Sequence, residues 1–281
     1  MPDVGPTAVL PRRPLTVGEL LDSAVLLLRG QARLLVPLGL LLAVGEQLLL
    51  HPLRLLADAR APEWWLEPDR LGWYWLLLAV GAGTEALIIA LLGNPAARGA
   101  GAALLGRRAG PGELLRPAGA RWGATLLAAA AVGLTVCLAG LAGPAWFVAY
   151  GLLGALVPAL VVDRVPAWRA PGRALTLAVR AGGRAVGLRL LGYLGWWLIR
   201  LGIGIGAYHG LGLLGLFDLS AWSLPVATAT WAGVNALAYP ALACLDAVLH
   251  LETRMRTEGL DIRLSRAPAE VPEPVLLAVP R

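Results

Sequence analysis

Among the charged residues inside runs that are otherwise apolar, four are singled out: Glu46, Glu85, Arg189 and Arg200. On insertion scales a charge at the centre of a bilayer costs about 2.5–3.5 kcal/mol, so such groups are functional suspects by default. Glu46 and Arg200 fall in the same half of their runs, each several residues from the end, which makes them candidates for a buried ion pair. Glu85 falls deeper, toward the opposite face, and Arg189 could reach it from the start of a neighbouring run. Two readings are open here. The groups line a polar cavity for a substrate or proton, or they pair and lock the helices together.

A second set of charges marks the chain ends. "RRPLTVGELLDSAVLLLRG", from Arg12, carries Glu19, Asp22 and Arg29, and "RMRTEGLDI" carries Arg254, Arg256, Glu258 and Asp261. Paired arginines ahead of an apolar run imitate an export signal, but Glu19 and Asp22 interrupt its centre. At helical spacing Glu19, Asp22, Ser23, Gly30 and Arg33 share one side, while Leu20, Leu21, Ala24, Val25, Leu27 and Leu28 cover the other. Thr16 and Glu19 have capping-box spacing, which marks the start of an amphipathic, retained helix. The expectation is that the two ends clasp each other through Glu19 and Asp22 on one side and Arg254 and Arg256 on the other. A docking surface for another protein is the competing reading, and a solvated set of charges facing lipid headgroups is the plainest one.

Other motifs lead nowhere catalytic. "GIGIGAYHG", from Gly202, imitates a dinucleotide fingerprint but ends an apolar helix, so Gly202, Gly206 and Gly210 are read as helix-packing positions. His51, His209 and His250 lack metal-ligand spacing, and Cys137 and Cys244 are read as small buried residues. No catalytic residue, metal site or cofactor is predicted, and the chain is not expected to be an enzyme.

The elements that must position these residues are set by composition. Of 281 residues 58% are hydrophobic and only 15% charged, against about a quarter charged in soluble domains. Roughly 20 apolar residues cross a hydrocarbon core. The runs predict an all-α bundle of six transmembrane helices: 34–51, 71–92, 122–141, 145–162, 186–207 and 226–249. The third and fourth meet at Ala142-Gly143-Pro144 as a hairpin. Arginine bias sets the orientation, since the segment before the first span, the second and fourth loops and the segment after the last span are arginine-rich. The first loop instead offsets Arg54, Arg60 and Arg70 with Asp58, Glu63, Glu67 and Asp69. Both termini are therefore placed in the cytoplasm, and Trp64, Trp65, Trp73, Tyr74 and Trp75 form an outer aromatic belt. The net charge of +6 is read as this one-sided arginine distribution rather than as a nucleic-acid surface. Residues 1–13 are expected to be flexible, 14–263 to form the membrane domain with cytoplasmic interfacial amphipathic helices, and 264–281 to be a disordered tail. "GELL" at Gly18 and Gly112, with a related segment from Gly172, suggests three units of interfacial helix plus hairpin.

Both ends resemble a bacterial multi-span family named for the membrane domain of glycerophosphoryl diester phosphodiesterases. Arg13, Pro14, Leu15, Gly18, Glu19, Leu21, Asp22 and Arg29 carry the N-terminal match, and Arg254, Arg256, Glu258, Gly259 and Asp261 the C-terminal one. Glu252 stands where that family usually has aspartate. The resemblance implies the fold and topology but no enzymatic activity, because a catalytic barrel needs about 250 residues and this chain has no such stretch. The expected function is a non-catalytic membrane protein of the bacterial cytoplasmic membrane that scaffolds or regulates envelope partners, surrounded by membrane lipids. A carrier for a lipid or small solute is the alternative, and a membrane-embedded enzyme the third.

Overall fold

The computed structural model describes residues 10–61, 64, 68–215, 219–268 and 271–279. The readings placed on residues 1–9, Glu63, Trp65, Glu67 and Arg281 lie outside them. Every regular element among the described residues is helical: α1 (Val17–Leu56), α2 (Leu71–Leu104), α3 (Pro111–Leu115), α4 (Trp122–Leu141), α5 (Ala145–Leu153), α6 (Leu156–Val161), α7 (Ala170–Arg180), α8 (Arg184–Leu213), α9 (Leu219–Glu258), α10 (Leu260–Arg266) and α11 (Glu273–Leu277). Among the described residues five helical stretches are long and apolar enough to cross a membrane: Val17–Leu56, Pro68–Leu104, Trp122–Leu141, Arg184–Leu213 and Trp222–Glu258.

The capping box forms, with Thr16 Oγ1 accepting from Glu19 N–H at 3.3 Å and Glu19 Oε2 accepting from Thr16 N–H at 2.9 Å. The amphipathic segment that starts there and the expected first span are one unbroken 40-residue helix. At 1.5 Å per residue it is about 60 Å long, twice the thickness of a hydrocarbon core. Helix α2 likewise continues past Leu92 to Leu104. The three segments read as a repeat differ from one another: a continuation of α1, the five-residue α3 and the separate α7.

The expected fourth span is two short helices that part at Gly154 and Ala155. Pro158 has no N–H for the Gly154 carbonyl and its ring crowds that carbonyl, which breaks the helix there, and a side chain enters at the break. Arg189 of α8 passes so close that a Cβ on Gly154 would lie 2.1 Å from its Nε. The carbonyl of Gly151, released from regular helix bonding, accepts from Arg189 Nη1.

Packing is closest between α2 and α4 and between α1 and α9. A Cβ on Gly83 would sit 2.7 Å from both Gly133 O and Cys137 Cβ, and one on Gly39 would sit 2.9 Å from Ala236 O. Missing side chains let these backbones touch, which supplies van der Waals contact where lipid offers no hydrophobic drive. Gly202, Gly206 and Gly210 do not play the packing part assigned to them, since a Cβ on any of them meets no described atom within 4 Å. Glycine spacing alone cannot show which helix face is covered. Gly83→Ala is accordingly expected to cost about 1–3 kcal/mol through overpacking, read as a lowered thermal midpoint in detergent, while Gly206→Ala leaves the midpoint unchanged or raised. Equal midpoints for the two variants would contradict this packing.

Candidate functional site

At the end of the bundle away from the described chain ends, α1, α2, the α4–α5 turn, α8 and α9 surround a cavity of about 530 Å³. Its walls carry Trp64, Tyr74, Trp75, Trp146, Phe147, Trp197 and Trp231. The aromatic belt expected from sequence thus contributes to an interior surface, and Trp75 is fixed by an Nε1–H bond to Leu141 O at 3.1 Å.

The floor is polar. Glu46 accepts from Tyr239 Oη at 2.5 Å, Thr84 Oγ1 at 3.1 Å and Asn235 Nδ2 at 3.4 Å. Glu85 pairs with Arg200 at 2.7 Å and accepts from Tyr193 Oη at 3.1 Å. The Arg200 guanidinium lies 5.6 Å and 5.7 Å from the ring centres of Tyr193 and Tyr239, within cation–π range. Glu46, Glu85 and Arg200 are all buried, and removing one partner of such a pair typically costs about 3–5 kcal/mol.

The expected Glu46–Arg200 pair is therefore replaced by Glu85–Arg200. Depth explains the difference. Counting from Leu92 as the inner end of the second span put Glu85 about 10 Å from that face, whereas α2 runs on to Leu104, about 18 Å further. Arg189 does not reach Glu85 either. Its Nε bonds Asp246 Oδ1 at 2.5 Å. Asp246 escaped notice in the sequence although Arg189 lies near the start of the fifth run and Asp246 near the end of the sixth, which puts them at matching depths.

The opposite end holds a second network. Asp163, in the turn after α6, accepts from Arg173 Nε at 2.7 Å and Arg254 Nη1 at 2.8 Å, and lies 2.8 Å from His250 Nε2. Arg173 also binds both Glu258 oxygens, the longer contact at 2.6 Å. Burial alone would raise the Asp163 pKa, but His250, Arg254 and Arg173 outweigh it and hold the carboxyl down at about 2. Asp163 and Arg173 were missed in the sequence because neither stands in a motif, and His250 was read only as lacking a metal-ligand pattern.

The clasp between the chain ends is made differently from expectation. Glu19 pairs with Arg13 at 2.5 Å, and both are exposed. Arg254 is fully buried on Asp163, Glu258 and Leu277 O. What joins the ends is the Leu15 carbonyl, which accepts from Arg256 Nη2 at 2.5 Å and Arg184 Nη2 at 3.3 Å, while both arginines bind Glu252. Asp22 and Arg29 remain exposed and Asp261 half-buried.

The stretch expected to be a disordered tail is ordered over its described part. Helix α10 extends to Arg266, and Leu277 of α11 is buried against Gly101, where a Cβ would meet its Cδ1 at 2.9 Å. Arg254 and Arg263 donate to Leu277 O at 2.7 Å and to Leu276 O and Ala278 O at 3.2 and 3.1 Å, and Val279 N–H donates to Asp163 O at 3.1 Å. Arginine donors that need acceptors here recruit the backbone of a segment whose composition is poor in large side chains.

Among the described residues no three His, Cys, Asp or Glu side chains are grouped to hold a metal ion. Comparison with family models, with curated proteins and with solved structures gave no match.

The depressed Asp163 pKa has a defined sign. Its stabilising contribution is complete above the ordinary aspartate value of about 3.9 and is lost as pH falls through about 2. The C-terminal segment of the wild type should therefore resist proteolysis within residues 271–279 at all pH values down to about 4, whereas Asp163→Asn exposes it at neutral pH. A mutant tail cleaved no faster than the wild type would remove Asp163 from this role.

Proposed function

We propose that the chain is an integral membrane protein that binds an amphiphilic molecule in the cavity and carries a lipid or small solute. The observation that carries this reading is the cavity itself. A volume of about 530 Å³ lies within the usual range of about 300–1,000 Å³ for ligand sites. Aromatic walls above a floor of Glu46, Glu85 and Arg200 suit a molecule with an apolar body and a polar group.

In this proposal the bilayer is crossed six times, with α5 and α6 together making the fourth crossing. Arginine-rich segments at the described chain ends support a cytoplasmic location for both termini in a bacterial cytoplasmic membrane, and the cavity then opens toward the outer leaflet. Helix α7 buries Ala174, Leu177 and Ala178 but leaves Leu175, Val179 and the preceding Trp168 exposed beside Arg169 and Arg180. That pattern favours a helix lying in the headgroup layer. Membership of the glycerophosphoryl diester phosphodiesterase membrane-domain family, proposed on the two end signatures, agrees with this layout and adds no catalysis.

The scaffold reading remains as the second one, supported by exposed Asp22 and Arg29 as charges for an envelope protein partner. It is the weaker because Arg254, Glu252 and Glu258 spend their charges within the chain. The test is extraction of the protein from its membrane in a lipid-preserving polymer. A stoichiometric amphiphile is expected with the wild type and is expected to be lost from Gly81→Phe, a cavity-filling change at a position where a Cβ meets only Leu50 Cδ1, at 3.8 Å. A stoichiometric protein partner without any bound amphiphile would overturn the carrier reading in favour of the scaffold.

A further inference from the structure

Among the described residues, one cation of the cavity makes no direct contact with a carboxylate. Arg54, near the end of α1, is 7% exposed and lines the cavity. Its Nη2 donates to Gln47 Oε1 at 2.8 Å, and its guanidinium lies 4.1 Å from the centre of the Trp64 ring. Among the described residues it forms no ion pair, and its Nη1 has no hydrogen-bond acceptor. The contrast with the other cavity charges is direct. Arg200 has Glu85, and Glu46 has three donors converging on it.

A guanidinium cannot shed its proton to escape burial. An uncompensated buried charge costs several kcal/mol, so a guanidinium kept in this position calls for an anion. The neighbouring Trp64 Nε1–H is a second buried donor with no acceptor. Trp64 has φ = 55°, a left-handed conformation that is costly for a bulky residue, and in that conformation its ring covers the Arg54 guanidinium. Nη1 of Arg54 and Nε1 of Trp64 are thus two buried donors without acceptors, on residues that line one end of a largely apolar cavity.

We propose that Arg54 and Trp64 bind an oxyanion, the phosphate or carboxylate of the molecule that occupies the cavity. This rests on the carrier reading and narrows its ligand to an anion. The walls favour an anion attached to an apolar body, since Leu50, Leu77, Leu78 and Leu201 line the same space. Arg54 is two helical turns beyond Glu46, about 12 Å along α1, which places the anion at the mouth and the apolar body against the aromatic and leucine walls above the polar floor.

The experiment is native mass spectrometry of lipid-depleted protein in detergent, titrated separately with dioleoylphosphatidylglycerol, dioleoylglycerol and inorganic phosphate. The two lipids share their tails and differ by the phosphoglycerol headgroup, which carries the only charge. Wild type is expected to bind the phospholipid at least about tenfold more tightly than dioleoylglycerol. Arg54→Gln should abolish that preference while keeping dioleoylglycerol binding, and Arg60→Gln, at an exposed arginine paired with Asp58, should keep the preference. Displacement of the phospholipid by millimolar inorganic phosphate would uphold the oxyanion and assign it to a soluble source. An unchanged preference in Arg54→Gln would overturn the inference but leave the cavity reading intact. If Gly81→Phe fails to weaken either lipid, the cavity reading itself falls. Circular dichroism and elution volume of each variant confirm that it is folded.

Discussion

A charge surrounded by hydrocarbon must find its partner within the protein, and the helices of this bundle are arranged around that requirement. Glu85 on α2 meets Arg200 on α8, and Asp246 on α9 meets Arg189 on α8. Helix α8 has little other burial, with few residues fully covered along its 30-residue length. Its three arginines, with Arg184 on Glu252 of α9 as the third, therefore carry much of its attachment. They fix its depth and rotation against α2 and α9, and with them the tyrosines that complete the cavity floor.

The same requirement shapes the backbone. Arg189 has more donors than Asp246 can satisfy, and the surplus is met by the Gly151 carbonyl where α5 gives way to α6. Glycine at position 154 is what allows the side chain through. At the opposite end Arg254, Arg263, Arg256 and Arg184 take carbonyls from Leu277, Leu276, Ala278 and Leu15. Arginine donors thereby tie both described chain ends to the bundle. Surface pairs such as Arg13 with Glu19 add little to this by comparison, being exposed to solvent.

Apolar runs, the capping box at Thr16 and the intramembrane charges could be read from residue order, because each depends on local spacing. Partner choice could not. Whether Arg200 meets Glu46 or Glu85 depends on where α2 ends, and Asn94, Pro95 and Arg98 mark a boundary after Leu92 that the helix runs straight through. The glycines that matter, Gly39, Gly83 and Gly133, have no more distinctive spacing than Gly202, Gly206 and Gly210, which face no neighbour. Asp246 could have been matched to Arg189 by depth. Asp163 could not, since its three partners come from α7 and α9 and only the folded chain brings them together.

The cross-helix pairing of Glu85 with Arg200 is the central claim, and a double-mutant cycle tests it most directly. Thermal or denaturant unfolding of Glu85→Gln, Arg200→Gln and the double variant in the same detergent would give the coupling between the two positions. Each single change is predicted to cost about 3–5 kcal/mol by stranding a buried charge. The double change should cost clearly less than the sum, with a coupling of about 1–3 kcal/mol. Additive losses would mean that the two side chains do not meet, and would contradict the arrangement of α2, α8 and the cavity floor described above.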